Sequence, residues 1–348
     1  VRVSGGIVFT KTTTQGVRRD GDRWRWPKAP RRWGMRATYQ NTIAERIDLM
    51  GRGVHGGEQT RVSLLPTDPN TGIVFVHGSA GQKARQIKLS PSAVRNTDFA
   101  TVLGDSNGML CSTVEHLLAA FVGLGVDNVI VEVEGGEVPI FDGSSLPFVE
   151  AIEAAGIEQQ AAPKRYLKII KPIHVTNGRA VGELLPYDEG FRIEVDIDFA
   201  HPLIGRQRYA ATVTPDNFRS DLMCARTFGF MSDVAKLWSA GLARGASLEN
   251  TICLAEDRVL NPAGLRYSDE FVRHKALDAV GDLALAGLPI LGRYRSICGG
   301  HKLNAAVVAA LASDPSTWTV VEAPHRRRQR GHAELGVSVA VPAYRAES

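Results

Sequence analysis

Residues 191–199 read FRIEVDIDF, and this alternation constrains the fold more than any other stretch of the chain. Ile193, Val195, Ile197 and Phe199 fall on one face of an extended strand, and Arg192, Glu194, Asp196 and Asp198 on the other. Such a strand buries one side only, so we expect it in an antiparallel sheet with one face in the core and one in water. A doubly wound parallel sheet, whose strands are covered on both faces, is a poor host for it.

The order of elements agrees. From about Thr38 to Gln160, TRVSLLP and GIVFVH read as strands, 112–123 as a helix, NVIVEVEG as a strand, and FDGSSLPFVEAIEAAGI as turn residues followed by a helix from Leu146. QQAAPKRY reads as a linker, after which strands resume. Helices are expected near 231–241, 269–286 and 301–312, with WTVVEA as a late strand. Because βαβ alternation is missing, two α+β domains fit this order, 35–162 and 163–323. The chain of 348 residues is long enough for two cores.

Charge and cysteine usage exclude several classes. Residues 1–34 hold nine Lys or Arg against Asp20 and Asp22, a net of +7 in a chain of +4, which leaves −3 for the remainder. The basicity thus belongs to a head segment, which argues against a nucleic-acid-binding body. That head lacks periodicity and precedes Met35, the first methionine. It reads as a disordered leader or a misassigned start, with an organellar transit peptide as the alternative. The tail 324–348 is expected to be charged and mobile. Cys111, Cys224, Cys253 and Cys298 show no CxxC spacing and read as thiols in a reducing compartment. The apolar runs LLAAFVGLGV and AAVVAALA fall short of the roughly 20 residues of a membrane-spanning helix.

Four stretches carry candidate chemistry. In DEFVRHKALDAVGD, helical spacing stacks His274, Asp278 and Asp282 in one column beside Lys275, opposite an arc of Val272, Ala276, Leu277 and Val280. Read alone, that column is either a solvated face or a site. In STVEHLLAAF, Glu115 has a structural explanation as the end of a Ser112-x-x-Glu115 capping box, whereas His116 in an apolar helix is either a hydrogen-bonded core histidine or a ligand. His116, His274 and Asp278 together supply the two imidazoles and one carboxylate of an open catalytic zinc set, with Glu115 adjacent to accept a proton from water. In GGHKLN, His301 opens a helix and is either a plain N-terminal residue open to solvent or a group whose ring Asp282 holds protonated. In ARTFGFM, Thr227 could donate to an oxyanion and Phe228 offer a flat face to a sugar or acyl group.

STVEHLLAAFVGLGVDNVIVEVEGGEVPIFDGSSLPFV, RTFGF, LRYSDEFVRHKALDAVGDLALAG and GGHKLN occur in that order, and GRGVHGGE near the start is similar to a known Gly-His-Gly loop. Across residues 36–322 the chain resembles the UDP-3-O-acyl-N-acetylglucosamine deacetylases, the zinc amidohydrolases of lipid A biosynthesis. The resemblance implies two α+β domains of similar topology, helical layers sandwiched between two β-sheets, and an insert between Thr227 and Tyr267 that forms an acyl-chain passage. It implies zinc, or iron(II) in its place, on His116, His274 and Asp278, with Glu115 as general base. His301 would be the cationic partner oriented by Asp282, Lys275 would bind substrate or stabilise charge, and Thr227 would assist the tetrahedral intermediate. Phe228 and His55 would contact substrate, although Arg52 stands where the family usually has a small or apolar residue. A cytoplasmic monomer acting on a small nucleotide-linked sugar is expected, with no nucleic-acid partner and no stable membrane insertion. A zinc amidohydrolase of another N-acylated sugar is the alternative.

Overall fold

The computed structural model describes residues 38–78 and 84–323, and the backbone of three short strands at Ile7–Phe9, Arg18–Asp20 and Arg23–Arg25. Those strands apart, the expected leader and charged tail lie outside the described residues.

The first sheet contains β1 (Ile47–Arg52), β2 (Gln59–Pro66), β3 (Ile73–His77), β4 (Arg85–Lys88) and β5 (Val129–Glu134). Their order is β1-β2-β5-β3-β4, with Ile7–Phe9 added parallel to β1 at the edge. In β5, Val129, Val131 and Val133 are buried and alternate with Ile130, Glu132 and Glu134, which are less covered. Val131 sits opposite Leu64 of β2 and Phe75 of β3, so a period of two in three segments builds one apolar face.

The second sheet repeats this plan. Its strands are β6 (Arg165–Ile169), β7 (Ile173–Asn177), β8 (Ala180–Leu185), β9 (Phe191–Asp198), β10 (Arg206–Thr212), β11 (Ile290–Ile297) and β12 (Trp318–Glu322). The hub β11 lies antiparallel to β8 and parallel to β9, as β5 lies antiparallel to β2 and parallel to β3. Hairpin partners β7 and β10 flank them as β1 and β4 do in the first sheet. Each hub follows one helix and precedes another: α1 (Glu115–Leu124) and α2 (Leu146–Ala155) in the first half, α3 (Glu270–Leu283) and α4 (His301–Ser313) in the second. The duplication is thus visible in topology although no residue-level repeat marks it.

Helix α1 packs directly on α3. A Cβ on Gly281 would come within 2.0 Å of the Glu115 carbonyl oxygen, so the two backbones touch at a point only glycine permits. One continuous apolar core runs from Leu64 and Val131 through Leu118 and Leu277 to Ile193 and Tyr294. Both helical layers therefore share the interior between the sheets, as α+β architecture requires.

Three local expectations need correction. The stretch 159–166 is strand, since Ile157–Pro163 pairs antiparallel with Tyr39–Ile43 and leads into β6. Its paired partner is a single strand, so its polar residues remain compatible with pairing and it reads as a loop. The half-buried β9 is antiparallel to β10, as expected, but parallel to β11 on its other side. The capping box does not form: Val114 is the N-cap residue with no side-chain bond, and the Ser112 hydroxyl donates to the Gly136 carbonyl. Thr113 at φ 58° turns the chain left-handed there and carries Ser112 onto Glu137 in an isolated bridge. In the stretch expected to be an insert, Phe228–Phe230 pairs parallel with Ile252–Leu254, and a short helix spans Val234–Ser239.

No helix among the described residues is long and apolar enough to cross a membrane. All four cysteines are free.

Candidate metal centre

The polar column of α3 is not a wet face. His274, Asp278 and Asp282 are 2%, 1% and 0% exposed, because α1 and the chain around Ala225 close over them. The i, i+4 spacing brings His274 Nε2 to 3.2 Å from Asp278 Oδ1. His116, at the buried start of α1, places its Nε2 3.5 Å from the same oxygen. The two rings meet edge to face with centroids 5.0 Å apart, and one ligand atom from each of the three residues lies within 4.8 Å of the others.

The protonation pattern suits a cation. His274 Nδ1 donates to the Ala225 carbonyl at 3.1 Å, which leaves the Nε2 lone pair facing Asp278. Burial pushes the His274 pKa down to about 3, so the ring is neutral, the form that ligates. Asp278 is held well below the usual carboxylate range, because His274, Lys275 and His301 outweigh the opposing effect of burial. Its Oδ1 is buried with no hydrogen-bond partner. A buried carboxylate oxygen without a donor, facing two imidazole nitrogens, fits a metal ion.

A second layer of groups adjoins this set. Lys275 Nζ donates to Asp278 Oδ2 at 2.9 Å and lies 5.8 Å from the Phe228 ring centroid. The Glu115 carboxylate accepts from the Thr101 backbone N–H at 3.1 Å, and its other oxygen is 3.8 Å from His301 Nε2. Burial raises the Glu115 pKa, with His301 and His116 opposing. His301 Nδ1 donates to Asp282 Oδ2 at 2.8 Å. Burial alone would lower the His301 pKa, but Asp282, Glu115 and Asp278 hold it up at about 9, so the ring is cationic at neutral pH.

The remaining expected residues lie around this cluster. The Phe228 ring packs edge-on against Phe271 at 5.1 Å and His274 at 6.3 Å. Thr227, the preceding residue, is fixed through its backbone to Gly143 and Ile252. His55 donates its backbone N–H to Glu137, whose carboxylate also accepts from Gly56 N and from Thr113 Oγ1 at 2.8 Å. A Cβ on Gly53 would sit 2.1 Å from that carboxylate, which explains the glycine in this loop. Burial lowers the His55 pKa against the pull of Glu137, and His301 adds to the lowering.

Sequence reasoning missed four groups: the Ala225 carbonyl, Glu137, Thr101 and Asn304. Asn304 was within reach, since it stands one helical turn beyond His301, and its amide donates to Asp282 at 2.8 Å. Thr101 carries no local signal, being a lone threonine in a loop. The expected turn chemistry of DGSS is present, with Asp142 accepting from Ser144, but Ser145 does not cap α2. Its hydroxyl donates to the His116 carbonyl at 2.7 Å.

Two imidazoles and a carboxylate converging on one buried point, flanked by a second carboxylate and a histidinium, have the composition of a metal-dependent hydrolase centre. The sequence comparisons agree with that class. The chain belongs to the UDP-3-O-acyl N-acetylglycosamine deacetylase family, a family of metalloenzymes, whose model matches residues 40–313. It is 49% identical over 286 residues to proteins of Brucella ovis, Brucella canis and Brucella melitensis named UDP-3-O-acyl-N-acetylglucosamine deacetylase. Those alignments cover 82% of this chain and 99% of each relative.

Proposed function

We propose that this protein hydrolyses the N-acetyl group of UDP-3-O-acyl-N-acetylglucosamine to acetate and a free amine, the committed step of lipid A biosynthesis. The observation that carries the reading is the unpartnered, buried Asp278 Oδ1 facing His116 and His274 beside Glu115, in a chain of this family. His116, His274 and Asp278 would hold zinc, and the same donor set suits iron(II). The bound ion supplies Lewis acidity toward the amide carbonyl and lowers the pKa of water.

The protein groups divide the remaining work. Glu115, whose pKa burial raises above the ordinary carboxylate value and which stands next to the ligand His116 in the chain, takes the proton of the attacking water. Cationic His301, oriented by Asp282, and the Lys275 ammonium stabilise the negative charge that develops on the carbonyl oxygen, with the Thr227 hydroxyl assisting. The departing amine receives its proton from the coupled Glu115–His301 pair. Phe228 offers a flat face to the sugar or acyl group, and His55 contacts substrate from the Gly53–Gly57 loop. The insert between Thr227 and Tyr267 forms the acyl-chain passage, a role supported by its exposed Met231, Trp238 and Leu248. Residues 35–162 and 163–323 are the two domains, a division supported by the repeated strand order. The protein works as a cytoplasmic monomer.

The test is metal content with matched acetate release from the acylated UDP-sugar, in wild type, His274→Ala and Glu115→Ala. His274→Ala should lose the metal, whereas Glu115→Ala should keep it and lose about 10²- to 10⁴-fold in kcat. Full metal content and activity in His274→Ala would overturn the reading.

A further inference from the structure

We propose that Thr101 is a positioning residue that locks the Glu115 carboxylate and the Asp282–His301 pair to one another. The inference rests on the proposed function but adds a group outside its machinery. Thr101 is fully buried and spends its backbone and its side chain on opposite partners. Its N–H donates to Glu115 Oε2 at 3.1 Å, the one hydrogen bond Glu115's side chain receives among the described residues. Its hydroxyl donates to Asp282 Oδ1 at 2.6 Å, while the other Asp282 oxygen accepts from His301 and Asn304. Glu115 stands on α1 and Asp282 on α3, so one residue of a loop spans both helices and both catalytic groups.

The bend of the loop carries Thr101 into the interior. Phe99 adopts φ 66°, a costly conformation for an aromatic residue, and is 61% exposed. The same turn directs Ala100 and Thr101 inward. An apolar side chain in water and a threonine in the interior reverse the usual preference, and the inward threonine is the one that reaches both carboxylates.

Thr101→Val keeps the shape and the backbone N–H but removes the hydroxyl, leaving Asp282 Oδ1 without a donor. Thr101→Ser restores it. Steady-state kinetics, metal content, thermal midpoint and the low-field proton signal of His301 Nδ1–H, assigned by its loss in His301→Gln, would be compared in both variants. In Thr101→Val kcat should fall about 10- to 100-fold with KM within about threefold, as for a small misplacement of reacting groups. Metal content should stay at the wild-type value and the His301 signal should shift, and Thr101→Ser should recover both activity and signal. An unmoved His301 signal with unchanged kcat in Thr101→Val would overturn the proposal. So would a Thr101→Ser variant as impaired as Thr101→Val, which would assign the threonine to packing. The proton signal is read without substrate, so it decides the role of Thr101 even if the wild-type protein releases no acetate, the outcome that would sink the proposed function instead.

Discussion

Glu115 and His301 face each other across 3.8 Å with opposite charge preferences: burial drives the carboxyl up, and three carboxylates hold the imidazole at about 9. Replacing His301 by Gln preserves hydrogen bonding to Asp282 but removes the cation that the developing oxyanion would meet. In steady-state acetate release, His301→Gln should lower kcat/KM by about 10²- to 10³-fold with metal content unchanged, a size expected of one electrostatic or general-acid contribution. Activity within twofold of wild type would remove His301 from the chemistry. At this scale the sequence was informative where two residues share a helix: the His274–Asp278 pair follows from spacing alone. It was silent on Asp278 Oδ1, because whether a carboxylate oxygen is satisfied depends on every element packed around it.

Helix α2 shows how an element can carry a cost for its position. Glu150 lies half-buried near Asp142 and Glu153, and burial together with those two carboxylates raises its pKa to about 7. A carboxyl whose pKa is higher folded than unfolded binds more protons in the native state between its ordinary value near 4.5 and about 7. Its favourable contribution is therefore complete below about pH 4.5 and is lost as pH rises through about 7. Glu150→Gln should raise the unfolding free energy at pH 8 by about 1 kcal/mol or less, after discounting for solvent screening of this half-buried group, and leave it unchanged at pH 4.5. An equal effect of the substitution at both pH values in urea titrations would contradict this account. Elements with a clear period were legible, since β2, β5, β9, α3 and α4 all lie within a few residues of expectation. The 159–166 strand was not, because its alternation carries glutamine, alanine and proline rather than large apolar residues.

At the scale of the molecule, a buried ion pair sits where α1 ends and the two halves meet. Lys164 Nζ lies 2.9 Å from Asp127 and 3.3 Å from the Gly125 carbonyl, while Asp127 also accepts from Asn41 N. Burial raises the Asp127 pKa, with Lys164 opposing. Lys164→Met strands that carboxylate and should cost about 3–5 kcal/mol in chemical denaturation, with much of the loss recovered in Lys164→Met/Asp127→Leu. A single variant as stable as wild type would make the pair dispensable. The basic head and acid-balanced body, the amphipathic β9, the helices and the i, i+4 placement of His274 and Asp278 were all determined by the sequence alone, because period, charge and residue type are local properties. The tertiary structure decided that His116 and α3 converge, that the polar column is buried, and that Thr101 and Asn304 complete the site. These are distance relations between residues up to 200 positions apart, and they exist only once α1 and α3 are pressed together between two sheets built on the same plan.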